Sequence, residues 1–156
     1  MNTAETSRSS SEKTPPVSSL EQTQTPNSGL ELIGKRVVVC EDEGIILMQL
    51  KRLLTLAGLV VVDLADNGES AVETVLREQP DLVLMDIRMP KLDGLTAAAS
   101  ILEKHPVCIV MLTAYSDDES RQRAQDIGTS GYVLKPITRD TLMPQLAAAW
   151  HKFHLP

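Results

Sequence analysis

Five short apolar runs recur along the chain, and a segment of helical periodicity follows each of them. The runs are apolar at consecutive positions, which is typical of strands that helices cover on both faces. Strict alternation of strand and helix implies right-handed crossovers and a parallel sheet. The sequence therefore predicts an α/β fold with five strands. The predicted strands are Val37–Cys40, Leu59–Val62, Leu82–Met85, Cys108–Leu112 and Tyr132–Leu134.

The segments between the runs carry apolar residues at helical spacing. Ile46, Leu50 and Leu54 lie on one apolar stripe, and Gly58 ends this first helix. The other helices are predicted at about 69–78, 94–104, 117–127 and 138–151. The expected architecture is a flavodoxin-like, doubly wound parallel sheet in the order 2-1-3-4-5, with helices on both faces.

The first 30 residues differ in composition from the rest. Seven Ser, five Thr and three Pro make up half of this segment, and its apolar residues are isolated from one another. Such a segment buries too little apolar surface to offset the entropy lost on ordering. We predict a disordered tail over residues 1–30, with a partner-binding or phosphorylatable arm as the alternative, and one folded domain over residues 31–156.

The charge and the cysteine content exclude several function classes. The formal net charge is −6. Electrostatic binding to DNA or to an anionic membrane over a broad surface needs an excess of Lys and Arg instead. The longest apolar run is far shorter than the ~20 residues of a membrane-spanning helix. Cys40 and Cys108 are too few for a disulfide framework. We expect a cytoplasmic protein that neither binds DNA directly nor crosses a membrane.

Polar and charged residues stand at the ends of four predicted strands. Glu41 and Asp42 follow the first strand, Asp86 the third, Thr113 the fourth and Lys135 the fifth. The carboxyl ends of these strands meet at one edge of a doubly wound sheet. Neighbouring carboxylates repel one another unless a cation compensates, and Mg²⁺ prefers such oxygen ligands. A carboxylate nucleophile, Mg²⁺, a lysine and a hydroxyl form a phosphoryl-transfer site whose product is an aspartyl phosphate.

From about residue 35 to residue 153, the chain resembles a response-regulator receiver domain of two-component signalling. The matching motifs are Glu41-Asp42, Leu84-Met85-Asp86-Ile87-Arg88-Met89-Pro90 with Asp93-Gly94, Thr113-Ala114, and Lys135-Pro136 with Tyr132 three positions earlier. The segment 113–137 is most similar to receivers that precede RNA-binding antitermination domains. About three residues follow Phe153, so we expect a stand-alone receiver.

The resemblance implies a phosphorylation site and a metal site. Asp86 would be the phosphoacceptor. Its phosphoryl group would come from a sensor histidine kinase, a phosphotransfer protein or a small acyl phosphate. Glu41, Asp42, Asp86 and the backbone carbonyl of Arg88 would hold Mg²⁺. The protein would not be an enzyme in the usual sense, because it would catalyse only its own phosphorylation and dephosphorylation.

The resemblance also implies a switch. Lys135 and Thr113 would contact the transferred phosphoryl group, and Thr113 and Tyr132 would move in response. This movement would alter the face made by the fourth helix, the fifth strand and the fifth helix, which a target protein or a second copy would read. Arg88 lies two residues after the phosphoacceptor and Tyr115 two residues after Thr113. We predict that both tune the rate of hydrolysis of the phosphorylated form.

Three alternatives are weighed against this prediction. A phosphatase of the haloacid dehalogenase type also uses a strand-end aspartate with Mg²⁺, Thr and Lys, but it usually has a second Asp where this chain has Arg88. A phosphorylation-independent interaction module is disfavoured because the set of strand-end residues is complete. A dimerising regulator that acts only through residues 1–30 is the third alternative.

Overall fold

A computed structural model describes residues 29–114 and 118–156, and in this part of the chain strands and helices alternate as predicted. The strands are β1 (Arg36–Cys40), β2 (Val60–Ala65), β3 (Leu82–Asp86), β4 (Cys108–Thr113) and β5 (Gly131–Leu134). The helices are α1 (Gly44–Leu56), α2 (Gly68–Glu78), α3 (Gly94–Lys104), α4 (Asp118–Ile127) and α5 (Arg139–Phe153). All strands pair in parallel in the order β2-β1-β3-β4-β5, which confirms the predicted topology.

The sheet separates two apolar cores because successive side chains of a strand point to opposite faces. Val37 and Val39 of β1 belong to the core beneath α1 and α5, whereas Val38 and Cys40 belong to the core beneath α2, α3 and α4. A short 3₁₀ turn at Leu30–Leu32 precedes β1 and buries Leu32 in the first of these cores. Helices thus cover both faces of the sheet, as the sequence predicts.

Strand β2 differs from its prediction in length and in burial. The predicted strand ends at Val62, but the observed strand continues through Asp63 to Ala65. β2 is an edge strand, so its four central residues are half-exposed and a charged residue is accommodated. The carboxylate of Asp63 lies 2.6 Å from the guanidinium of Arg77 on α2. The continuous burial typical of a central strand therefore holds for β3 and β4 but not for β2.

Polar side chains and one glycine define the helix ends. Gly58 follows α1 with φ of +99°, a conformation that favours glycine. Asn67, Asp93 and Thr138 cap α2, α3 and α5, and each accepts a hydrogen bond from a backbone N–H three residues later. Helix α5 ends two residues beyond its predicted end and contains Pro144.

The two cysteines lie in strands that are not neighbours. Cys40 is in β1 and Cys108 is in β4, and β3 runs between them. Both are free and buried, and burial raises the pKa of both thiols, that of Cys108 to about 12.

No helix within residues 29–114 and 118–156 has the length and hydropathy needed to span a membrane. The disordered tail is predicted over residues 1–30, and residues 1–28 of it lie outside the described residues.

Candidate functional site at the carboxyl edge of the sheet

Three carboxylates meet where β1 and β3 end. Glu41 directly follows β1, Asp42 comes next, and Asp86 is the last residue of β3, which is paired directly with β1. One oxygen atom from each of the three lies within 4.8 Å of the other two. Glu41 and Asp86 are buried, while Asp42 is exposed. We call these three residues the acidic cluster; the structure places them together as the sequence predicts.

Lys135 brings a positive charge to the acidic cluster from the end of β5. Its Nζ atom lies 2.9 Å from Oε1 of Glu41 and 3.4 Å from Oδ2 of Asp86. The backbone N–H of Lys135 donates a hydrogen bond of 2.8 Å to the carbonyl oxygen of Thr113. This bond ties the end of β5 to the end of β4 and so positions the ammonium over the two buried carboxylates. A cis peptide bond follows, between Lys135 and Pro136.

Burial and mutual attraction shift the pKa values of Glu41, Asp86 and the half-buried Lys135. Burial raises the pKa of Glu41 to about 7, and the negative charge of Asp86 adds to this effect. Burial also raises the pKa of Asp86, although Lys135 opposes that shift. Burial alone would lower the pKa of Lys135, but hydrogen bonding and attraction to Glu41 and Asp86 raise it above its ordinary value. The lysine therefore stays charged, and one cation faces three carboxyl groups.

The acidic cluster fits a hard divalent cation. Its ligand atoms are all carboxylate oxygens, the type that Mg²⁺ prefers. Oε1 of Glu41 is fully buried, and the ammonium of Lys135, 2.9 Å away, is shared with Asp86. One shared positive charge does not balance the charges of three ionised carboxylates, and such an imbalance is costly in a buried site. Charge and oxygen chemistry therefore both favour a cation at this position.

The loop after β3 holds Asp86 in place. The backbone N–H of Arg88 donates a hydrogen bond to the Asp86 carboxylate, and the N–H of Gly94 donates to the carbonyl of Ile87 at 2.7 Å. A Cβ atom on Gly94 would overlap the carbonyl oxygen of Asp86. The glycine in the Asp93-Gly94 motif thus allows the start of α3 to pack directly against the backbone of Asp86. The side chain of Arg88 is exposed beside the acidic cluster.

The predicted switch and rate-tuning residues lie at different depths. Thr113 is buried at the end of β4, where it pairs in register with Leu134, the residue before Lys135. Tyr132 pairs in register with Met111, two positions before Thr113, and it is half-buried on the side of α4. Tyr115 lies outside the described residues, so its predicted role stays a prediction.

Arg121 of α4 contacts Tyr132, an interaction that the sequence analysis did not predict. The Cζ atom of its guanidinium lies 4.7 Å from the centre of the Tyr132 ring, within the range of a cation–π contact. Helix α4 is polar at most positions, and no pattern in the sequence distinguishes Arg121 from the other charged residues of this helix. The three histidines lie at or near the ends of α3 and α5, and none belongs to the acidic cluster.

Comparison with known proteins gives consistent matches. The family model of the response regulator receiver domain matches residues 37–147. The transcriptional regulatory protein PdtaR of Mycobacterium tuberculosis is 39% identical over 121 residues, which are 78% of this chain and 59% of that protein. The chemotaxis protein CheY of Treponema pallidum is 35% identical over 116 residues, or 72% of this chain and 81% of that protein. The chain thus spans about three fifths of the length of PdtaR.

Solved structures give the same result. The receiver domain of the response regulator NarL from Mycobacterium tuberculosis matches with a TM-score of 0.72 and 29% identity, over 76% of this chain and 98% of that one. CheY in the CheX-CheY-BeF3-Mg complex from Borrelia burgdorferi matches with a TM-score of 0.73 and 26% identity, over 76% and 90% of the two chains. The strand order, the acidic cluster and these matches together show that the chain belongs to the response-regulator receiver domain family.

Proposed function

We propose that this receiver domain accepts a phosphoryl group on Asp86 in a reaction that depends on Mg²⁺. One observation carries the proposal: Asp86 ends β3 in direct contact with Lys135 and within 4.8 Å of carboxylate oxygens of Glu41 and Asp42. Such a set of groups supports nucleophilic attack by a carboxylate on phosphorus and neutralises the charge that passes through the site. The donor would be the phosphohistidine of a sensor histidine kinase or a phosphotransfer protein, or a small acyl phosphate.

Asp86 would act in its ionised form. One Oδ atom forms a bond to phosphorus while the phosphorus–nitrogen bond of the phosphohistidine breaks, and the released imidazole nitrogen takes a proton from water. The ammonium of Lys135, 3.4 Å from Oδ2 of Asp86, would pair with an oxygen of the incoming phosphoryl group. Thr113, buried at the end of β4, would supply a hydroxyl to a second oxygen.

Receiver domains generally bind Mg²⁺ at an acidic pocket, and the acidic cluster has the oxygen ligands that such a site needs. Glu41, Asp42, Asp86 and the backbone carbonyl of Arg88 would hold the ion. Bound there, it would neutralise charge on the phosphoryl oxygens during transfer. The Borrelia burgdorferi CheY complex, whose name includes BeF3 and Mg, is a structural neighbour that supports this assignment.

The output would be read on the face made by α4, β5 and α5. Phosphorylation would draw Thr113 toward the phosphoryl group and turn Tyr132 inward. These movements would favour a second arrangement in which α4, β5 and α5 pack differently. A target protein or a second copy of the chain would bind there. Arg88 and Tyr115 would tune the lifetime of the phosphorylated form. The domain would catalyse only its own phosphorylation and dephosphorylation. We expect the protein to be located in the cytoplasm.

The test is phosphorylation followed by intact mass. The protein is incubated with MgCl₂ and acetyl phosphate, and in parallel with a phosphorylated histidine phosphotransfer domain. We expect one added phosphoryl group, which Asp86→Asn and the removal of Mg²⁺ both abolish. Asp66→Asn is the matched control, because Asp66 is an exposed carboxylate that follows β2 at the same edge of the sheet. A failure of every donor to add mass, or an equal gain in Asp86→Asn, contradicts the proposal.

A further inference from the structure

A cavity of about 180 Å³ opens between α4, β5 and α5. Two of the residues that line it are cationic, Arg121 of α4 and Lys152 of α5. Gln125 and Gln145 add neutral polar groups from the same two helices. No carboxylate occurs among its described lining residues, although the chain as a whole has a net charge of −6. We call this cavity the basic pocket; its charge and its polar lining are complementary to a single anionic group.

One side of the basic pocket is formed by a residue of the proposed switch. Tyr132 lines the pocket, and the guanidinium of Arg121 lies over its ring at 4.7 Å. A guanidinium also forms two parallel hydrogen bonds with a carboxylate. The position of the Arg121 side chain therefore depends on what occupies the pocket and on where the Tyr132 ring lies.

We propose that the basic pocket binds a carboxylate of an acidic segment of a partner protein through Arg121 and Lys152. The carboxylate and the Tyr132 ring compete for Arg121. When Tyr132 turns inward, its ring no longer holds Arg121, so phosphorylation of Asp86 increases the affinity for the acidic segment. This coupling rests on the proposed function, whereas the pocket itself does not.

The small number of cations favours a carboxylate of a protein segment over a nucleic acid. Asp118 and Glu119 lie in the first turn of this helix and Asp126 lies near its end, so carboxylates stand on both sides of Arg121 along the sequence. A polynucleotide presents phosphates at regular spacing and needs several cations in a row. The basic pocket offers two cations, which suffice for one side-chain carboxylate but not for a row of phosphates.

The test is a titration followed by NMR spectroscopy of the ¹⁵N-labelled full chain. The probe is the capped peptide acetyl-Ala-Glu-Glu-Ala-amide, and its Gln-Gln counterpart is the matched peptide control. We expect saturable shifts of the Ser130 and Gly131 amides and of the Arg121 Nε–H with the acidic peptide only. Arg121→Gln and Lys152→Gln should each weaken binding at least fivefold. Arg123→Gln, on the same helix but outside the pocket, should leave the dissociation constant within twofold.

Several outcomes would overturn the proposal. One is the absence of saturable shifts up to 20 mM peptide, and another is equal binding by Arg121→Gln. Shifts at the same amides with a six-nucleotide RNA, but not with the peptide, would assign the pocket to a nucleic acid. A dimer that Arg121→Gln dissociates, together with no peptide binding, would assign it to a second copy of the chain.

The phosphorylated protein tests the coupling. With Asp86 phosphorylated, we expect peptide affinity to rise about fivefold, and Asp86→Asn treated in the same way should show no rise. Equal affinity in both states would overturn the coupling. If the peptide binds but intact mass shows no phosphorylation, the proposed function fails while the pocket assignment stands, so the two failures are distinguishable.

Discussion

The Nζ atom of Lys135 lies nearer to Glu41 than to Asp86, at 2.9 Å against 3.4 Å. The lysine is therefore shared between the two buried carboxylates and neutralises only one charge. Glu41 responds to the remaining charge with a pKa raised to about 7, caused mainly by burial. The metal-free acidic cluster is for this reason sensitive to pH, to cations and to the loss of Lys135.

The stability of the metal-free protein should fall as the pH rises from about 4.5 to about 7. Glu41 has an ordinary pKa of 4.5 and a folded-state pKa of about 7, so in this window the folded state holds a proton that the unfolded state has released. The group's contribution is therefore greatest at low pH and decreases by at most about 3 kcal/mol across the window. Urea denaturation in EDTA at several pH values measures the free energy of unfolding.

The variant Glu41→Gln provides the control for this prediction, because the amide has nearly the same shape and does not titrate. The difference in the free energy of unfolding between the wild type and Glu41→Gln should favour the wild type most at pH 4.5 and decline toward pH 7. A difference that is independent of pH would show that Glu41 does not carry the effect.

Magnesium should stabilise the folded protein through the acidic cluster. At a Mg²⁺ concentration tenfold above its dissociation constant, the free energy of unfolding should rise by about 1.4 kcal/mol. Asp86→Asn should remove this gain, while Asp66→Asn should retain it. The measurement is urea denaturation at pH 7.5 with MgCl₂ or with NaCl at equal ionic strength. Equal stabilisation of all three proteins would place the ion elsewhere.

The strand order and the strand-end residues could be predicted because they depend on local signals. Consecutive apolar residues mark β3 and β4, and the rule that parallel strands end at one edge places Asp86 beside Glu41 although 45 residues separate them. The end of β2 could not be predicted in this way. Asp63 is a charged residue, which is typical of the end of a buried strand. Because β2 lies at the edge of the sheet, however, the carboxylate of Asp63 reaches solvent and pairs with Arg77.

Some contacts between side chains of different elements, and the burial of individual residues, had no sequence signal. The sequence treats Glu41 and Asp42 as equivalent acids, whereas the fold buries the first and exposes the second. The stacking of Arg121 on Tyr132 likewise depends on how α4 packs beside β5. Burial and cross-element packing are set by the tertiary structure, so the difference in burial within the acidic cluster and the charge of the basic pocket become visible only in the folded protein.

Replacing Lys135 by Met should destabilise the protein in a manner that depends on pH. The variant leaves Glu41 and Asp86 buried without a positive charge, a change that costs about 3 kcal/mol when both are ionised. The loss should be smaller at pH 5, where protons can take the place of the lysine charge. Lys51→Met, on the exposed side of α1, is the control and should change stability by less than about 0.5 kcal/mol. Equal losses for the two variants at pH 8 would contradict this account.

Two glycines that begin helices should respond oppositely to alanine. Gly44 begins α1 and a Cβ atom there meets nothing within 4 Å, so Gly44→Ala should leave stability unchanged or raise it by up to about 1 kcal/mol. Gly94 begins α3, and a Cβ atom there would overlap the backbone carbonyl of Asp86. Gly94→Ala should therefore cost roughly 3 kcal/mol or more and displace the proposed phosphoacceptor. Urea denaturation measures the first effect, and the rate of phosphorylation by acetyl phosphate, followed by intact mass in buffer without denaturant, measures the second. A Gly94→Ala protein as stable and as readily phosphorylated as Gly44→Ala would show that this close approach does not position Asp86.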